Sequence, residues 1–218
     1  MAINFSQFEQ LSRHDKLKQF TSNLALRIAV HEAGHVLFAL QHGRNASVKL
    51  PALEDTLRST RFDMDAQTAF SARGLSDEAL LDIVLGGFCA ERAYLRMPSF
   101  SRGAHRAAND CLALISRLAN PFVLAPGISI PVHRRPSSSL PLIVHQSARL
   151  QYAQHRLLLG DSDEANAIVL GIMNLPVARQ TLRELNARRD ELINIAGRLF
   201  QSWEANKFDV TDVSVTAA

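Results

Sequence analysis

Two histidines and a glutamate stand close together in the sequence as His31-Glu32-Ala33-Gly34-His35. Four residues advance an α-helix by about 400°, so in a helix the two imidazoles lie on one face, one turn apart. Two imidazoles in that arrangement can bind one tetrahedral zinc ion, and the pattern His-Glu-x-x-His is typical of such sites. A carboxylate beside the first histidine can reach a metal-bound water without being a ligand. The motif therefore predicts a Zn²⁺ site with His31 and His35 as ligands and Glu32 as general base.

The surroundings of the motif favour a metal site over an accidental match. Apolar residues flank the motif at helical spacing, where histidine and glutamate side chains without partners would be costly. A catalytic zinc usually has three protein ligands and one open position, so two histidines leave the ligand set incomplete. Spacing alone does not choose among the four candidates for the third position, which are Asp63, Glu91, His105 and Asp110.

The helix that carries the motif is the first element with clear predicted ends. Thr21 and Ser22 are candidate N-cap residues, and Gly43 is a natural C-terminal stop. Residues 47–50 then alternate between polar and apolar types before a proline, which predicts a short strand at the edge of a sheet. The candidate partner strand is Arg61-Phe62-Asp63-Met64.

A second strong helix is predicted from Ser76, its N-cap, to Pro98. Its Gly86-Gly87 pair costs about 1 kcal/mol per glycine relative to alanine, which indicates a close approach to another helix or to the metal site. Further helices are predicted over residues 107–119, 142–159, 164–174 and 177–206, with a proline-rich surface loop at 120–141.

The composition is typical of a globular domain with a hydrophobic core, since 47% of the 218 residues are hydrophobic and 21% are charged. The formal net charge is only +3 and the basic residues are scattered, so no nucleic-acid partner is expected. Cys89 and Cys111 cannot build a disulfide framework, and buried thiols suit a reducing compartment. No apolar run is long enough for a membrane span and the N-terminus lacks a signal-peptide pattern, so we expect a cytoplasmic protein.

Several segments, in the same order along the chain, resemble the peptidase domain of the FtsH-type ATP-dependent zinc metalloproteases. Residues 28–35 are similar to that family's zinc helix, and residues 85–92 are similar to its LGGRxAEE segment. Asn109-Asp110 resembles the end of its TGASND motif, and residues 189–212 resemble its closing helices. The chain departs from the pattern at Phe88 and Arg92, and extra residues precede Asp110. The resemblance covers about residues 22–213.

The resemblance implies a fold and a fuller site. The fold is a mainly α, helical zinc-metallopeptidase domain over residues 22–213, with a small β-strand or hairpin element beside the HExxH helix. A helical segment, 1–21, would precede it and a tail, 214–218, would follow. Asp110 would be the third zinc ligand and Glu91 an outer carboxylate that orients a ligand histidine. A cleft to which an extended substrate peptide adds as a strand would be bordered by Ser47, Val48, Lys49 and Leu50.

The 218 residues contain no GxxxxGK[ST] nucleotide loop, so we expect a stand-alone peptidase domain without its own ATPase. Such a domain would cleave flexible or unfolded polypeptides, or would rely on a separate ATPase or adaptor. The rings formed by the family make a homo-oligomer a candidate state. The alternative function is a catalytically inactive peptidase-fold module for binding or regulation, which the zinc content and activity of the purified protein would distinguish.

Overall fold

The computed structural model describes residues 24–58, 66–95 and 176–217, together with residues 10, 12 and 15. Over the three ranges the chain is mainly helical, with one small antiparallel sheet. The helices are α1 (Leu24–Gln41), α2 (Leu53–Arg58), α3 (Asp77–Leu95), α4 (Pro176–Ala187) and α5 (Arg189–Ala205). The strands are β1 (Ala46–Leu50), β2 (Gln67–Phe70) and β3 (Thr211–Val215).

Helix α1, which carries the HExxH motif, lies at the centre of the fold. It packs against α3, α5 and the sheet, while α4 packs against α3. Because α1 has neighbours on several sides, it is apolar around most of its circumference rather than along one stripe. Its fully buried side chains include Val30, Val36 and Phe38. The polar residues of the motif are therefore held by a helix that the core fixes in place.

The predicted ends of the two main helices are confirmed where the structure describes them. Gly43 adopts a left-handed φ of 67°, and its N–H donates to the carbonyl oxygen of Leu40 at 2.9 Å. The N–H of Arg44 donates to the carbonyl of Ala39 at 2.8 Å, which completes a Schellman-type C-cap. At the start of α3, the hydroxyl of Ser76 accepts the N–H of Ala79 at 3.2 Å, as an N-cap does. The N-cap candidates Thr21 and Ser22, and Pro98 at the predicted end of the second helix, lie outside the described residues.

The sheet has the strand order β2-β1-β3, with both pairs antiparallel. In the register, Val48 of β1 stands opposite Thr68 of β2 on one side and Val213 of β3 on the other. Side chains alternate along β1, so Val48 is fully buried while Lys49 is exposed. One face of the sheet therefore covers the helices and the other faces solvent.

Three predictions about the sheet are wrong. β1 is the central strand rather than an edge strand, because β3, which was not predicted, pairs with its second edge. The partner on the first edge is β2 rather than the segment 61–64, and that segment lies outside the described residues. β3 extends to Val215, so the sheet includes part of the predicted tail 214–218.

The C-terminal region forms two helices where the sequence predicts one over residues 177–206. The break falls at Arg188, whose φ of −107° and ψ of 29° are not helical. Helix α5 is anchored by Trp203, which is fully buried and donates its indole N–H to the carbonyl oxygen of Pro51 at 2.5 Å. This contact fixes α5 to the turn that follows β1.

Several predicted elements lie outside the described residues: most of the N-terminal segment 1–21, the helix over 107–119, the loop at 120–141, and the helices over 142–159 and 164–174. Among the helices that the structure describes, none combines the length and apolar character needed to cross a membrane.

The buried thiol of Cys89 gives a first prediction. Its Sγ lies 3.5 Å from the carbonyl oxygen of Ala178, and burial raises its pKa to about 12. At pH 8 only about one thiol in 10⁴ is then ionised, and the thiolate is the form that reacts with alkylating reagents. In a Cys111→Ser protein, Cys89 should resist iodoacetamide at pH 8 in the native state and react in denaturant, as measured by mass spectrometry. Rapid labelling of the native protein would contradict this arrangement.

Candidate metal centre

The two histidines of the motif lie side by side on α1. Their ring centroids are 4.8 Å apart and the ring planes are inclined by 77°. Both residues fall within one uninterrupted helix, so the one-turn spacing predicted from the sequence is confirmed. Phe88 of α3 packs against the His31 ring in an edge-to-face arrangement, with centroids 5.9 Å apart. The two imidazoles thus share one face of α1, the face covered by α3.

Hydrogen bonds orient both rings in the same way. The Nδ1 atom of His35 lies 2.7 Å from the carbonyl oxygen of Ile83, which can only accept, so this nitrogen is the donor. The Nδ1 atom of His31 lies 2.8 Å from Oε1 of Glu91 and donates to that carboxylate. With the proton on Nδ1 in each neutral ring, both Nε2 atoms carry a free lone pair. Each histidine is therefore in the tautomer that binds a metal through Nε2.

The two Nε2 atoms converge beside Gly87 on α3. A Cβ atom built at this residue would stand 2.5 Å from Nε2 of His31 and 2.6 Å from Nε2 of His35. Any side chain at position 87 would occupy the space beside both nitrogens. The neighbouring Gly86 instead meets the backbone of α1 at Gly34, so the predicted close approach of this helix to another helix is confirmed.

The described donors fit part of a zinc site. Two convergent imidazole nitrogens are ligands that zinc prefers, and the lack of a side chain at Gly87 leaves room beside them. Within 24–58, 66–95 and 176–217, however, no group of three or more His, Cys, Asp or Glu side chains is arranged to hold a metal ion. A third ligand would have to come from outside these ranges, where three of the four candidates lie: Asp63, His105 and Asp110.

Glu91, the fourth candidate, lies on the Nδ1 side of the His31 ring and not beside Nε2, the nitrogen that would bind a metal. Its side chain is buried, with 4% of the residue exposed, and it contacts the Nδ1 side of the ring. The guanidinium of Arg27, one turn before His31 on α1, approaches the other oxygen of Glu91 with an N–O distance of 3.5 Å. This positive charge offsets part of the cost of burying the carboxylate. Arg27, Glu91 and His31 therefore form a buried row of interacting polar groups, with Glu91 between Arg27 and the Nδ1 side of the His31 ring.

The electrostatics of the two histidines differ. Burial has the largest effect on the pKa of His31 and lowers it, but the hydrogen bond and negative charge of Glu91, together with the negative charge of Glu32, outweigh burial and leave that pKa raised. His31 therefore holds a proton more readily than a free imidazole, and a metal ion bound at Nε2 would displace that proton. Burial also lowers the pKa of His35, and the neighbouring charge of His31 lowers it further. His35 is therefore neutral at pH 7, the protonation state that a metal requires of an imidazole.

Glu32 points toward the sheet and is held by it. This carboxylate is buried, with 6% of the residue exposed, and its Oε2 accepts a hydrogen bond from the hydroxyl of Thr68 on β2 at 2.6 Å. A short bond from a hydroxyl to a carboxylate is among the stronger hydrogen bonds in proteins. Among the described residues, the protein thus contributes a hydrogen-bond donor to Oε2 of Glu32.

Arg27 and Thr68 were not predicted as site residues. For Arg27 a signal exists in the sequence: a basic residue stands four positions before His31 in an otherwise apolar helix, where it needs a buried partner. For Thr68 no local signal exists, because threonine is ordinary in a strand and its partner is 36 residues away. Only the packing of β2 against α1 brings Thr68 to Glu32.

The prediction that a substrate strand adds beside Ser47, Val48, Lys49 and Leu50 is wrong. Residues 46–49 pair with β2 on one side and with β3 on the other, and Leu50 pairs with Thr211. Their backbone groups are therefore already used in the sheet. In the described part of the chain, the sheet edge nearest to Glu32 is that of β2.

Comparisons with known proteins identify no relative: no family model matches the chain, and no curated protein and no solved structure matches it. The likeness to the FtsH-type peptidase domain thus rests on the motifs quoted above.

Substitution of Gly87 tests the convergence of the two nitrogens. The Gly87→Ala variant should bind zinc at least about 100-fold more weakly than the wild type, because the new Cβ would lie 2.5 Å from one Nε2 and 2.6 Å from the other. The metal-free variant should unfold near the wild-type temperature, since alanine favours a helix and only the ends of two side chains need to move. Competition with a chromogenic chelator measures the affinity. Wild-type affinity in this variant would contradict the convergence.

Proposed function

We propose that the chain is a zinc-dependent metallopeptidase of the FtsH type, which hydrolyses peptide bonds in flexible or unfolded polypeptides. The observation that carries the proposal is the convergence of two Nε2 atoms, those of His31 and His35, beside Gly87. A buried carboxylate, Glu32, follows the first of these histidines on the same helix. Two ligand nitrogens and an adjacent base are part of what metal-assisted hydrolysis of an amide uses, and a third ligand completes the set.

In this proposal each residue has a separate role. His31, His35 and, by resemblance, Asp110 hold the metal, and Glu91 orients His31 with support from Arg27. Bound zinc supplies a positive charge that polarises the scissile carbonyl and makes water more acidic. Glu32 takes the proton of the attacking water through Oε1 and passes it to the nitrogen of the leaving amine.

The edge of β2 is the proposed position of the substrate. An extended peptide that paired with this edge would run past Thr68, and hence past Glu32, which the same strand contacts. Pairing with an exposed strand uses the main chain of the peptide, so it suits unfolded segments of varied sequence. A separate ATPase or adaptor that delivers unfolded chains, and a homo-oligomer, are the partners that the resemblance implies.

Zinc titration of the metal-free protein tests the proposal. We expect binding of one zinc ion per chain and the appearance, with zinc, of hydrolysis of an internally quenched unstructured peptide. Removal of the metal by a chelator should abolish this activity. His35→Ala should lose both zinc and activity, whereas the control His42→Ala should keep both, because His42 pairs with Asp82 rather than with the site.

The outcomes separate the two candidate functions. A protein that binds no zinc contradicts the proposal outright. A protein that binds one zinc through His31 and His35 but cleaves no peptide contradicts the catalytic role and favours a binding or regulatory module.

A further inference from the structure

We propose that Thr68 is a positioning residue for Glu32, holding the carboxylate in the orientation that proton transfer requires. The inference rests on the proposed function, in which Glu32 is the general base. Its basis is the 2.6 Å hydrogen bond from the Thr68 hydroxyl to Oε2 of Glu32, which joins the edge strand β2 to the motif helix.

The contact selects which oxygen of Glu32 reacts. A threonine hydroxyl has one proton, and in this geometry that proton is donated to Oε2. Oε1 is then the oxygen that accepts the proton of the attacking water. Without the hydroxyl, the carboxylate could rotate about its terminal torsion, which is broad for glutamate, and spend part of its time in unproductive orientations.

The contact can also persist through the reaction. When Oε1 takes the proton from water, Oε2 becomes the carbonyl oxygen of a carboxylic acid and still accepts from the Thr68 hydroxyl. When the proton passes on to the leaving amine, Oε2 returns to the carboxylate without changing its partner. The base therefore gains and loses its proton with no rearrangement of this hydrogen bond, which is how a preorganised group lowers a barrier.

The sheet makes Thr68 a rigid support. Its register partner on β1 is Val48, which is fully buried against the helices. The hydroxyl is thus carried by a paired strand rather than by a loop, and a rigid element positions a catalytic group more closely. Because β2 is also the proposed substrate edge, peptide docking and alignment of the base depend on the same strand.

Substitutions at Thr68 separate the hydroxyl from the side-chain shape. Thr68→Val keeps the shape and the strand preference but removes the donor, so kcat should fall about tenfold or more. KM for the quenched peptide and zinc affinity should stay within about threefold of wild type. Thr68→Ser restores the hydroxyl and should bring kcat back to within about threefold.

The matched control is Thr181→Val. Thr181 also donates to a carboxylate, Oδ1 of Asp82 at 3.3 Å, but this pair lies on α4 and α3 and takes no part in the site. Thr181→Val should leave kcat unchanged. Wild-type kcat in Thr68→Val, failure of Thr68→Ser to restore kcat, or loss of zinc in proportion to activity would each overturn the inference.

A second measurement does not depend on activity. In the metal-free protein, Thr68→Val should lower the melting temperature by more in the wild-type background than in a Glu32→Ala background, because only the former leaves a buried carboxylate without this donor. Equal shifts in the two backgrounds would overturn the inference. A zinc-loaded wild type that cleaves no peptide contradicts the proposed function instead, so the two failures are distinguishable.

Discussion

The Glu32→Gln variant is expected to bind zinc with wild-type affinity and to hydrolyse the unstructured peptide about 10²- to 10⁴-fold more slowly. The carboxamide has nearly the shape of the carboxylate, and its carbonyl oxygen can still accept the hydroxyl of Thr68, which lies 2.6 Å from Oε2 in the wild type. It cannot accept a proton from water, so the contribution of the general base is lost. Zinc affinity should be preserved because the Nδ1 partners of the histidines, Glu91 and Ile83, are untouched.

The measurement compares kcat with zinc stoichiometry in the same preparation. The matched control is Glu78→Gln, an exposed glutamate in the first turn of α3, which should keep both properties. If zinc-loaded Glu32→Gln cleaves the peptide at the wild-type rate, Glu32 is not the base. If the Glu32→Gln variant loses zinc as well as activity, Glu32 supports the metal ligands rather than taking a proton from water.

Local features of the sequence predict a good part of this arrangement. The period and ends of α1 are encoded within the helix itself, by apolar residues at helical spacing and by Gly43, whose left-handed φ of 67° completes the C-cap. Ser76 similarly marks the start of α3 through a side-chain cap within three residues. The pairing of His31 with His35 follows from the helical repeat alone.

Features that depend on distant contacts could not be predicted in the same way. The central position of β1 depends on β3, which pairs with it from the other end of the chain, at Thr211–Val215. Thr68 likewise becomes a site residue only when β2 docks beside α1. A glycine inside a helix, such as Gly34, is unfavourable by about 1 kcal/mol relative to alanine, and the reason for it lies across the helix interface at Gly86, which local sequence does not reveal.

That interface leads to the prediction with the largest expected effect on stability. Gly34→Ala should reduce the free energy of unfolding by about 3 kcal/mol, although alanine in place of glycine stabilises an isolated helix by about 1 kcal/mol. A Cβ at position 34 would collide with the carbonyl oxygen of Gly86 and would lie 2.6 Å from the Cβ of Ala90. The first of these is a backbone atom within a helix, so it cannot move aside as a flexible side chain could.

Denaturant unfolding of the metal-free variants measures this effect, with Gly87→Ala as the matched comparison. Both changes add one methyl group at the interface of α1 and α3, but the methyl at Gly87 meets the ring atoms of His31 and His35 rather than backbone. The Gly34→Ala variant should therefore lose folding stability, whereas the Gly87→Ala variant should mainly lose zinc affinity. A Gly34→Ala protein more stable than the wild type would contradict the close contact between α1 and α3.

The same substitution should also affect zinc binding, because α3 carries Glu91. Any separation of the two helices should lengthen the hydrogen bond from His31 to Glu91, so a Gly34→Ala protein that still folds should bind zinc more weakly.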